Sequence, residues 1–133
     1  MKIKVIDGVY AVCKLKKIPE SLGKEFYSLT ITDEEISLVC AENAVPQEIL
    51  DIETGFSMLR IEGQLDFSLI GILADISGVL AQQKISIFCI STYNTDYVLV
   101  RRAQLEKAII ALSLIHILEL ASARVYLTGC KSA

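Results

Sequence analysis

Neither a metal-ligand cluster, nor an activated nucleophile, nor a glycine-rich phosphate loop stands anywhere in this chain of 133 residues. No His, Cys, Asp or Glu constellation has the pairing that acid–base or covalent catalysis needs, so an enzyme is the least favoured class and no cofactor is expected. Histidine occurs once, at His116. With no second ligand beside it, that imidazole reads as a helix-end residue rather than a metal ligand or a proton carrier. Cys13, Cys40, Cys89 and Cys130 form no CxxC pair. That spacing is not a zinc signature, and free cysteines in apolar strand patterns read as small buried hydrophobes. No apolar run approaches the roughly 20 residues that span a bilayer, so no membrane segment is expected. Lys2 and Lys4 interrupt the first apolar stretch and no signal-peptide core follows, which makes the cytoplasm the expected compartment. The net charge of −3 and the scatter of Lys and Arg argue against a nucleic-acid footprint. The one basic cluster, Lys14, Lys16 and Lys17, reads as a solvated strand end.

What the chain does have is apolar surface. Hydrophobic residues make up 53% of it, more than one small core needs, and a surplus of this kind is commonly hidden against another copy or module. A homodimer or larger homo-oligomer is therefore expected.

Taken in order, residues 2–6 and 9–15 are β-branched and apolar around Asp7 and Gly8, which suits a hairpin or a strand with a short lead-in. Pro19 to Gly23 has room for one helical turn. Phe26 to Thr32 and Ile36 to Ala41 alternate as a strand pair around Asp33, Glu34 and Glu35. The rhythm loosens from Glu42 to Thr54, which divides the chain into residues 1–54 and 55–133. A strand at 56–61 follows. Leu69, Ile72, Leu73, Ile76, Val79 and Leu80 then recur at helical spacing up to about Gln82 and Gln83, with Asp66 or Ser68 as the N-cap. Residues 85–90 are apolar on both faces, as suits a central strand with helices on one face and another module or subunit on the other face or along its edge, and Tyr93 to Asp96 make the polar turn into a returning strand at 97–100. Leu105, Ala108, Ile109 and Leu112 mark a second helix; residues 122–128 form a last strand, or residues 118–121 prolong the helix.

From residue 56 onward the order is the split βαβ arrangement of ferredoxin-like domains, so the fold class is α+β. The run Gly63 to Gly71 entering the first helix, the run Ile85 to Val100, and the helix starting near Gln104 and Leu105 resemble small tandem ACT-domain proteins. That group is similar to the ACT half of aspartate kinase and to CASTOR-type cytosolic arginine sensors. Residues 30–40 share the layout of residues 91–100, a polar turn feeding an apolar strand, which suggests an internal repeat. The resemblance thus implies a ferredoxin-like βαββαβ ACT domain preceded by a degenerate, mostly β ACT-like module. Residues 113–120 depart from it, staying apolar where the family has a glycine-bearing turn.

ACT modules typically bind small effectors, most often amino acids, where the first strand-to-helix loop of one module meets the sheet edge of another. Carried onto this chain, the resemblance implies ligand contacts from Asp66, Phe67, Ser68, Leu69, Ile70 and Gly71, and from Thr92, Tyr93, Asn94 and Thr95. A helix N-terminus offers unpaired N–H groups to a carboxylate, and Asp66 could pair with an α-amino group. The same residues also suit ordinary helix capping and hairpin chemistry. The function implied is a non-enzymatic regulatory protein that binds an effector and alters self-association or the binding of a regulated protein partner. The alternative is an interaction module that oligomerises through sheet edges and helices without a ligand.

Overall fold

The computed structural model describes residues 2–62 and 71–114. Six strands and two helices follow one another as β1 (Lys2–Leu15), β2 (Tyr27–Ile31), β3 (Ile36–Ala41), β4 (Ile49–Glu62), α1 (Ile72–Gln82), β5 (Ile87–Ser91), β6 (Asp96–Arg101) and α2 (Leu105–Ser113), with 3-10 turns at Glu42–Ala44 and Arg102–Gln104. They fall into two compact units: Gly8–Phe56, and Met1–Asp7 together with Ser57–Ala133. Both unit boundaries lie inside long strands, β1 and β4.

Each of those strands carries a glycine beside its boundary, Gly8 at φ +108° and Gly55 at φ +79°. Such angles are open to glycine at no steric cost and mark irregular points in a strand. At Gly55 the N–H donates to a Glu42 carboxylate oxygen at 2.7 Å. Residues 2–15 run on as one strand, so of the two openings expected, a hairpin around Asp7 and Gly8 or a strand with a short lead-in, the hairpin is corrected.

In the unit that holds β5 and β6, the strand order is β1-β4-β6-β5. Leu59 and Ile61 of β4, Val98 and Val100 of β6, Ile72, Ile76 and Leu80 of α1, and Leu105, Ala108, Ile109 and Leu112 of α2 share one core. Alternation along the strands and the i, i+3, i+4 stripe on each helix put these residues on facing surfaces, giving a sheet covered by two helices. The chain order β4-α1-β5-β6-α2 is the ferredoxin-like layout. The sheet place beyond β4 belongs to β1, whose Ile3 is buried in the same core with Val5 packed against it. The last strand expected at 122–128, like His116 and Cys130, lies outside the described residues.

Two local details correct the sequence reading. The strand expected at 85–90 as the centre of the molecule is β5, at the sheet edge, where Phe88 is 37% exposed and Cys89 is exposed as well. Ile87 packs against the core, while Phe88 and Cys89 stay exposed among the described residues. Helix α1 closes with Ile85 N–H donating to the Leu80 carbonyl and Lys84 N–H to the Ala81 carbonyl, both at 2.9 Å, with Lys84 left-handed at φ +60°. This is a Schellman stop at a position that usually holds glycine, and buried Ile85 packs back onto the core.

The other unit has the strand order β2-β3-β1-β4. It is mostly β, as expected, and residues 16–26 form a loop in which Pro19 to Gly23 make no helical turn. Ala11, Cys13, Leu15, Leu38 and Cys40 form its core, sealed by Leu22 from the loop and Val45 from beyond the 3-10 turn. These two side chains occupy the role that helices have in the first unit.

Candidate functional site

The hairpin that joins β5 to β6 is built by its threonines. Thr92 N–H donates to the Thr95 carbonyl at 2.8 Å, and the Thr92 hydroxyl donates to the same carbonyl at 2.9 Å while accepting the Thr95 N–H at 3.3 Å. One hydroxyl thus closes the turn from both sides. The Thr95 hydroxyl donates to the backbone carbonyl of Ile61, near the end of β4. That bond fixes the turn against the strand that leads toward residues 63–71. Ser91 Oγ donates to an Asp96 carboxylate oxygen across the base of the hairpin.

The ten residues expected at the ligand site thus divide into three groups. Asp66, Phe67, Ser68, Leu69 and Ile70 lie outside the described residues. Gly71 is exposed and left-handed at φ +94°, where it opens α1. Thr92 and Thr95 spend their hydroxyls on turn and strand contacts, while Asn94 is exposed and Tyr93 wholly so. An exposed phenol and amide held on a turn of fixed shape are free to meet a polar ligand or a protein surface.

Beside this turn, the sheet carries polar groups that residue-by-residue reading missed. Leu59 and Ile61 point into the helix-covered core, so Arg60 and Glu62 lie on the opposite face of β4. Arg60 Nη2 donates to Glu62 Oε1 at 2.7 Å. The Glu62 hydrogen bond, reinforced by Tyr97 and opposed by burial, holds the guanidinium pKa above its ordinary value. Arg60 Nε is buried with no hydrogen-bond partner among the described residues. The signal was available in the i, i+2 spacing of Arg60 and Glu62 at the end of the mostly apolar run that starts at Phe56.

The same hairpin occurs twice. Strands β2 and β5, strands β3 and β6, and the two 3-10 turns have equal lengths and are each displaced by 60 positions. Ile31 pairs with Ile36 as Ser91 pairs with Asp96. Thr32 takes the part of Thr92: its N–H donates to the Glu35 carbonyl at 2.9 Å and its hydroxyl accepts the N–H groups of Glu34 and Glu35 at 3.1 Å. The tips differ in chemistry. Asp33, Glu34 and Glu35 form an acidic turn, where residues 93–95 carry no charge.

A model of the ACT domain matches residues 51–113, and a model of an N-terminal domain matches residues 8–48. The solved structure of protein Atu0741 from Agobacterium tumefaciens is 34% identical, covers 84% of this chain and 86% of its own, and superposes with a TM-score of 0.77. This chain is an ACT-domain protein. The rat cytosolic arginine sensor for mTORC1 subunit 1 (Rattus norvegicus) is 35% identical over 89 residues, which are 62% of this chain and 27% of the sensor. The ACT-domain chain therefore spans about a quarter of that curated relative's length. The alpha and beta subunits of aspartokinase share the fold at 15% identity and a TM-score of 0.61, covering 84% of this chain and 95% of theirs. The ferredoxin-like layout and the ACT assignment read from residues 56–112 thus hold. Among the described residues no helix of this ACT-domain protein is long and apolar enough to cross a membrane, and no three His, Cys, Asp or Glu gather to hold a metal ion.

Proposed function

We propose that this chain is a non-enzymatic ACT sensor, which binds an amino acid or similar small effector and changes how it associates with itself or with a regulated protein. The effector lies against the segment from Asp66 to Gly71 and the turn from Thr92 to Thr95, where one ACT module meets another. The observation that carries this reading is the Thr95 hydroxyl bond to the Ile61 carbonyl. It couples the hairpin tip to the strand that feeds the α1 entry, so a ligand that touched both segments would bear on both elements at once. Support also comes from the ACT-domain match over residues 51–113 and the likeness to an arginine sensor. Asp66 would take an α-amino group, the α1 N-terminus a carboxylate, and Tyr93 with Asn94 the outer wall. A ligand shifts an equilibrium only by its differential affinity for the two states, typically about 1–3 kcal/mol.

The test is thermal stabilisation of the purified chain against the twenty amino acids. Effector at about 100 times its dissociation constant adds roughly 2.7 kcal/mol, a shift of several degrees for a chain of this size. Asp66→Ala and Tyr93→Ala should each abolish a selective shift; for Tyr93→Ala the unliganded transition should stay within about 2 °C, since Tyr93 is exposed and exposed substitutions change stability little. A flat panel would sink the sensor reading.

One observation favours the second reading, an interaction module without a ligand. Edge strand β5 carries no charged residue and no proline, the usual guards against strand addition. If the panel is flat and a Phe88→Lys substitution disperses an oligomer, that reading takes its place.

A further inference from the structure

We infer that the outer face of α2 is a self-complementary docking surface for a second copy of this chain. This goes beyond the sensor reading by naming the surface, and it rests on the self-association within that reading. Leu105, Ala108, Ile109 and Leu112 turn inward, leaving Glu106, Lys107, Ile110 and Leu114 on the other side of the helix and its end. Ile110 is 46% exposed and Leu114 71%. These residues, with Ala103, Ala111 and Gln83 from the end of α1, line an open depression of about 380 Å³. Its floor is apolar and its rim carries one acid, one base and one amide.

The charges and sizes select the occupant. Glu106 and Lys107 are both exposed and pair with no other charged side chain among the described residues. A second α2 laid antiparallel across a two-fold axis, in the register that sets Glu106 opposite the second copy's Lys107, forms that ion pair twice. The same register sets Ile110 opposite the second copy's Ala103, again twice, so the large exposed side chain meets the small one. One patch meeting itself in this way is what an isologous interface requires, with charges fixing the register around an apolar centre. An unrelated partner would have no need of a patch that complements itself.

Sedimentation velocity from about 2 to about 200 μM, on the full chain without effector, tests the inference; reversible association is expected to appear within this range. Lys107→Glu, which sets like charges opposite each other twice, should weaken the dimer roughly tenfold, and more at low salt. The double variant Glu106→Lys/Lys107→Glu exchanges the charges and should restore association to within about threefold of wild type. Ile110→Asp should leave a monomer. All three positions are exposed, so circular dichroism should be unchanged. A wild-type dimer that none of these variants moves would overturn this surface while leaving self-association intact. A wild type that is monomeric throughout would overturn both.

Discussion

Ile3→Ala is the most informative single change. Ile3 is only 6% exposed and lies in the core formed by β4, β6, α1 and α2, although it stands some fifty residues before the ACT-matched segment. Truncating a buried isoleucine removes its transfer free energy and leaves a cavity, together about 2–5 kcal/mol. A strand at the border of its unit can relax, which places the expected loss near the middle of that range, about 3 kcal/mol. For a chain of this length such a loss lowers the transition by about 10 °C. Urea unfolding followed by far-ultraviolet circular dichroism, read for the midpoint at constant slope, measures it directly. Lys4→Ala is the control, since Lys4 is exposed on the same strand and should change stability by less than about 0.5 kcal/mol. If Ile3→Ala behaves like Lys4→Ala, the N-terminal strand does not seal this core and the strand order given for the unit is wrong.

Other expectations follow from single contacts. Thr95→Val keeps the shape but loses the bond to the Ile61 carbonyl, and should cost about 1 kcal/mol where Thr95→Ser costs much less; equal losses would remove the bond's role. Lys84→Gly relieves a left-handed lysine at the α1 stop and should raise stability by about 0.5–1 kcal/mol in the same urea assay. Burial, and beside it the neighbouring Cys13 thiol, pushes the Cys40 thiol up to about 11, and burial raises Cys13 as well. A thiol whose folded pKa is raised gives stability that is complete below the unfolded value, near 8.5, and is lost as pH climbs toward the folded one. Urea midpoints should therefore fall between about pH 9 and 11 by an amount equivalent to at most about 3 kcal/mol, and Cys40→Ala should flatten the decline.

Periodicity made most of the ACT domain legible. The stripe from Ile72 to Leu80 and the set Leu105, Ala108, Ile109 and Leu112 each announced a helix because buried positions at 3.6-residue spacing leave little else possible. The limits of β3 were read as the structure has them, since a polar turn and a 3-10 turn bound an apolar run of six. Pairing partners were less accessible. Nothing local in Lys2 to Asp7 says that this strand belongs with residues beyond 57, and Asp7 with Gly8 carries the same turn chemistry whether the chain reverses or continues. Composition cannot distinguish a strand covered on both faces from an edge awaiting a partner, so the apolar run in β5 left both open and only the strand order decides for the edge. At the candidate site, the threonines were named for their hydroxyls, yet only coordinates could show those hydroxyls engaged within the turn. The Arg60 and Glu62 pair left only a weak trace, two opposite charges two positions apart, which becomes a contact once the strand register puts both on one face.

The placement of β1 bears on how the protein is made and handled. Residues 2–7 leave the ribosome before the strand they must border, and that partner follows only after all of Gly8–Phe56. The sequence of the ACT sheet is thus interrupted by the whole of Gly8–Phe56, and its completion waits on a long-range pairing of the kind that slows folding and leaves an unpaired strand exposed meanwhile. A contiguous excision at residues 51–113 would carry the matched sequence without one of its strands. A fragment that keeps this strand must instead join residues 2–7 by a linker to the segment that starts at Ser57.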